Sequence, residues 1–82
     1  MAKRKADIEI GRRAAEELKN RFPNMTEYAI CERLGIDRKT IYVWRTGGTP
    51  SAFALQRLCY EGVDVLYVLT GRRSRKNGSG SL

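Results

Sequence analysis

Residues Thr26 to Gly47 read TEYAICERLGIDRKTIYVWRTG, and this stretch decides the fold. Thr26 can cap a short helix by accepting from a free backbone N–H of its first turn, and Glu27 suits the positive end of the helix dipole. Met25 just before the cap and Ile30 just inside the helix have the spacing of a hydrophobic staple. Ile30 and Leu34 face inward, and Gly35 fits the left-handed position that ends a helix. Asp37 is a suitable cap for a second helix running from Arg38 to about Arg45, buried along an Ile41–Trp44 edge, with Ile36 packing from the turn. The connection Leu34-Gly35-Ile36-Asp37 is too tight to lay the two helices antiparallel, so they cross steeply around a small residue, Cys31.

That crossing leaves the far side of the second helix protruding. On a helical wheel Lys39 lies nearly opposite the Ile41–Trp44 edge, flanked by Tyr42 and Val43 with Arg38 alongside. Arginine and lysine donate to guanine O6 and N7, and valine can touch a thymine methyl. Tyr42 can stack on sugar or donate to a phosphate or base edge. Arg38, Lys39, Tyr42 and Val43 are therefore the candidate base-reading residues. Thr40 and Thr46 are short donors near the path a nucleic-acid backbone would take. Charges on a helix face are usually just solvated; their place at the start of a helix held out by a glycine turn favours recognition.

Outward from this unit, every segment reads as helix. Asp7 to Phe22 places Ile10, Ala14, Ala15, Leu18 and Phe22 on one face and Arg12, Arg13, Glu16, Lys19 and Arg21 on the other, with Pro23-Asn24 as the stop. After the break Thr46-Gly47-Gly48-Thr49-Pro50, Ser51 caps a helix with an inward stripe of Ala54, Leu55, Leu58 and Cys59, ended by Gly62. Asp64 caps a last short helix from Val65 to Leu69, closed by Thr70-Gly71. The expected architecture is an all-α, compact bundle of about five short helices. Residues 1–6 read as a flexible basic arm, 7–71 as one domain and 72–82 as a flexible basic, Gly/Ser-rich tail.

The chain of 82 residues carries 16 Lys and Arg against 9 Asp and Glu, a net charge of +7, and no histidine. So basic a small domain points to a polyanionic partner, nucleic acid or an acidic membrane surface. No apolar run is long enough for a membrane span or placed as a signal peptide requires, so a cytoplasmic protein is expected. Cys31 and Cys59 are far apart and lie among apolar residues, reading as small buried thiols. With two cysteines and no histidine a tetrahedral metal site lacks ligands, and no Cys–His or Ser–His nucleophile can be built. No cofactor, metal, small-molecule substrate or enzymatic role is expected.

The segment resembles the helix-turn-helix of phage repressors and Cro-like (Xre-like) proteins. Glu27, Cys31, Gly35, Ile41 and Trp44 stand at the family's spacing, and the order of five helices agrees over residues about 8 to 71. The closing run Gly62 to Gly71, GVDVLYVLTG, also looks like the family's last helix. The resemblance implies a lambda-repressor-like fold and sequence-specific binding of double-stranded DNA, commonly as a homodimer on a palindromic operator, to regulate transcription. By position, Arg38, Lys39 and Val43 match base-reading positions and Thr46 one that holds phosphate.

Two residues depart from the pattern. Glu27 stands where the family often has a glutamine on the DNA backbone. A carboxylate there repels phosphate, so either the contact moves to Thr26 and Tyr28 or the docking angle differs. Arg45 stands where many members carry a glutamate paired with the first helix; here that pair is expected to be absent and Arg45 to reach phosphate. The expected backbone contacts are thus Thr26, Tyr28, Thr40, Arg45 and Thr46, with Arg72, Arg73, Arg75 and Lys76 as further cations for phosphate or solubility. The alternatives are a helix-turn-helix module that binds protein and a DNA-binding protein without sequence preference.

Overall fold

The computed structural model describes residues 5–73 and is all-helical there. Five helices follow one another: α1 (Lys5–Arg21), α2 (Glu27–Leu34), α3 (Thr40–Arg45), α4 (Ala52–Tyr60) and α5 (Val65–Thr70). The basic runs at 1–4 and 74–82, with Arg75 and Lys76, lie outside the described residues. Helix α1 already includes Lys5 and Ala6, which the sequence reading assigned to the arm.

Local chemistry sets most of the boundaries. Thr26, Ser51 and Asp64 each accept from the N–H three residues on, at 3.1, 3.1 and 3.0 Å, which satisfies donors that a helix start leaves free. Gly35 closes α2 at φ 72°, a conformation in which a side chain would be strained. One boundary differs from expectation. Asp37 Oδ1 accepts from the Lys39 N–H at 2.8 Å, and its carbonyl accepts from Thr40 N, so Asp37 closes a turn and α3 begins only at Thr40. An aspartate bonding two residues ahead makes a turn of its own and delays the helix. Arg38 and Lys39 consequently sit on this turn, ahead of the first helical residue.

The core comprises Ala14, Ala15 and Leu18 from α1, Ile30, Cys31 and Leu34 from α2, Ile41 and Trp44 from α3, then Ala54, Leu58, Val63 and Val68. Helix α1 packs chiefly on α3 and α5, and α2 meets α3 around the fully buried Cys31. Cys59, expected inside, is exposed, because α4 needs only Ala54 and Leu58, with Leu55 half-buried, to cover the core. A thiol reagent should therefore label one cysteine per native chain and two after denaturation. Burial also raises the Cys31 pKa above its ordinary 9.0, the opposing hydrogen bonds from the Ile41 and Thr40 backbone being the smaller effect. That contribution to stability is present below pH 9.0 and lost at higher pH, where the unfolded chain ionises first.

Arginine ties the helices by their ends. Arg57 donates to Leu34 O at 3.2 Å, Arg21 to Glu61 O at 2.7 Å and Arg13 to Val68 O at 3.0 Å. Each guanidinium satisfies carbonyls that a helix C-terminus leaves unpaired and sits at the negative end of its dipole. Arg73, expected in a free tail, instead grips both oxygens of Glu17 at 2.9 and 2.8 Å and lies 3.8 Å from the centre of the Tyr67 ring.

Gly11 allows a close approach of two backbone segments. A Cβ there would overlap the carbonyl oxygen of Gly48 and stand 2.8 Å from that of Trp44, both of them backbone atoms. Gly11→Ala is therefore expected to push α1 off the end of α3 and destabilise the domain by about 2–3 kcal/mol, read from urea unfolding.

Candidate nucleic-acid interface

The surface that could meet a nucleic acid is built outward from Ile41 and Trp44. With Trp44 only 2% exposed and Ile41 fully buried, α3 is pinned to the core along one edge and its other residues are fixed by helical geometry. Tyr42 and Val43 project, at 57% and 46% exposure, and Arg38 and Lys39 are exposed on the turn before them. The four expected base-reading residues are thus all exposed, on α3 and the turn that leads into it.

On the flank nearest α2, Arg38 lies 6.0 Å from the centre of the Tyr28 ring, within cation–π range. Beside it, Arg45 Nε and Nη2 donate to the two Glu27 oxygens at 2.9 and 3.1 Å, and its guanidinium carbon is 5.5 Å from the Tyr42 ring centre. The two residues that depart from the repressor pattern therefore answer each other. Glu27 neutralises Arg45, and the hydrogen bonds and charge of Glu27 raise the Arg45 pKa still further.

The expected backbone contacts fare differently. The Thr26 oxygen is engaged as the α2 cap. Tyr28 is exposed, and Thr40 is half-buried. Thr46 donates its hydroxyl proton to Tyr42 O at 3.0 Å and Val43 O at 3.2 Å, so it closes its own helix before it can serve a phosphate. Arg45 is held by Glu27 as described.

On the opposite flank a groove of about 510 Å³ runs between α3 and the start of α4, lined by Ile36, Lys39, Thr40, Val43, Trp44 and Phe53. Phe53 is 53% exposed at its wall. The sequence reading passed over it because it falls outside the inward stripe of α4; an aromatic off the stripe, close to a glycine-rich break, was the available signal.

The distribution of cations separates structure from surface. Arg13, Lys19, Arg21 and Arg57 are bound to carbonyls, and Arg33, Arg45 and Arg73 to carboxylates. Arg12 is 3.7 Å from Glu9. Among the basic residues from Arg12 to Arg73, the side chains with neither an ion pair nor a hydrogen bond are Arg38, Lys39 and Arg72. Two of these three are neighbours on the protruding turn. No group of acidic, cysteine or histidine side chains that could hold a metal ion occurs among the described residues, and no helix there is long and apolar enough to cross a membrane. A search of protein-family models, curated proteins and solved structures finds no match to the chain.

Proposed function

We propose that this chain is a sequence-specific, double-stranded DNA-binding transcriptional regulator of the phage-repressor, Cro-like kind, acting in the cytoplasm at the nucleoid. Arg38 and Lys39 reach guanine edges in the major groove, Tyr42 and Val43 meet sugar and thymine methyl, and Thr26, Tyr28 and Thr40 lie against the backbone. The observation that carries this reading is the pair of exposed cations, Arg38 and Lys39, neither in an ion pair or side-chain hydrogen bond, on a turn backed by the buried Ile41 and Trp44. Most other described cations are consumed within the fold, so this turn is where a polyanion gains most. A helix-turn-helix built to bind protein would have less use for two free charges on this turn.

The protein is proposed to bind as a homodimer. Leu66 and Leu69 of α5 are exposed, at 61% and 40%, and offer apolar surface to a second copy. Selection from a pool of random duplexes, followed by titration of the winner at several salt concentrations, tests the whole reading. The expected outcome is one enriched palindromic motif with half-site centres about one helical turn apart. A pool without enrichment but with steeply salt-dependent binding would reduce the protein to a non-specific phosphate binder. Absence of binding would leave the protein-interaction module.

A further inference from the structure

We infer that Glu27 is a specificity-determining residue: by holding Arg45 in a two-point ion pair, it withholds one cation from phosphate and so suppresses binding to DNA of any sequence. The inference rests on the DNA-binding reading and concerns the same surface. Glu27 Oε2 and Oε1 lie 2.9 and 3.1 Å from Arg45 Nε and Nη2. This geometry uses the guanidinium fork and leaves no carboxylate oxygen over. The pair is not buried in the core: the side chains are 46% and 30% exposed for Arg45 and Glu27. It also adjoins the proposed contact surface directly, with Arg45 against the Tyr42 ring and Arg38 against Tyr28, the residue after Glu27.

An exposed ion pair of this kind adds little to stability, because solvent screens it and two long side chains must be ordered. Its effect on a polyanion is larger. A free Arg45 would neutralise a phosphate and release a counterion, and the resulting affinity is the same for every sequence. Glu27 cancels that gain by keeping the Arg45 charge compensated within the pair. Contacts from Arg38, Lys39 and Val43 to base edges are untouched, so a larger share of the binding free energy depends on sequence. The two departures from the repressor pattern then form one device, which trades overall affinity for discrimination.

The test measures binding of the full chain to a random-sequence duplex of about 30 base pairs across a salt series, alongside the duplex selected from the pool. Glu27→Gln keeps the size of the side chain and leaves the Thr26 cap in place; circular dichroism melts verify the fold. One more neutralised phosphate steepens the log–log salt dependence by about 0.9, or roughly eightfold per tenfold change in salt. The variant is expected to show that steeper slope and tighter random-duplex binding at low salt, with a smaller ratio of selected to random affinity. Adding Arg45→Gln should abolish the steepening. An unchanged slope and random-duplex affinity in Glu27→Gln, beside a wild type that binds DNA, would overturn the inference alone. A gain that survives in the double variant would do the same, since it would come from repulsion by Glu27 and not from release of Arg45. If neither protein binds any duplex, the DNA-binding reading falls and this inference with it.

Discussion

Replacing Trp44 with alanine is expected to cost roughly 3–5 kcal/mol of stability. A domain of this size has about 5–15 kcal/mol in all, so much of the margin disappears. The indole is 2% exposed, belongs to the single core cluster, and with Ile41 is what holds α3 in place. Alanine leaves a cavity the size of the ring, and neighbours on α1 and α4 can collapse into it only in part. Urea unfolding followed by circular dichroism checks the value. A loss below about 1 kcal/mol would mean that the groove beside Trp44 closes over the gap and that α3 is held by other contacts.

The second large effect falls on binding and leaves stability nearly untouched. Arg38→Ala and Lys39→Ala are each expected to weaken binding to the selected duplex by about 1–3 kcal/mol, roughly five- to 150-fold. Binding to random duplex should weaken less, since only the phosphate attraction of one charge is lost. Neither side chain donates a hydrogen bond or forms an ion pair in the fold; Arg38 gives up its 6.0 Å contact with the Tyr28 ring. Unfolding free energies should therefore move by no more than about 0.5 kcal/mol. Fluorescence anisotropy on both duplexes separates the two contributions. Unchanged affinity for the selected duplex in both variants would remove this turn from the recognition surface.

The contrast between these two substitutions also shows what a sequence reveals. Helix starts at Thr26, Ser51 and Asp64 and the glycine stops at Gly35 and Gly71 were legible, because each depends on atoms within a few residues. The buried edge of α3 was legible for the same reason: Ile41 and Trp44 recur at helical spacing between polar neighbours. Asp37 was misread as the cap of α3: it closes a turn on Lys39 N and the helix starts only at Thr40, since caps and Asx turns use the same side chain at neighbouring reaches.

What lay hidden joins residues far apart in the chain. Arg57 reaches back to Leu34, Arg21 forward to Glu61 and Arg13 to Val68. On a helical wheel these arginines are indistinguishable from solvated charges such as Arg12. Glu27 and Arg45 each stood out as anomalies against the repressor pattern, yet their union depends on how α2 and α3 cross, which periodicity does not encode. Gly11 is the converse case: a helical pattern treats it as filler, whereas the approach of Gly48 makes the missing side chain a requirement. Cys59 shows the opposite error, in that an apolar stripe read from spacing was wider than the core it had to cover.

The packing of α1 on α3 and α5 bears on how the protein is made. Ala14, Ala15 and Leu18 are synthesised first, but their partner Val68 near the end of the last helix is among the final residues of the domain to be added. On the ribosome the first helix must wait, with its apolar face uncovered, until α5 has cleared the exit tunnel. Completion of the core is thus deferred until the domain is almost fully synthesised. The exposed turn before α3 thus takes its final setting only as the domain closes on itself.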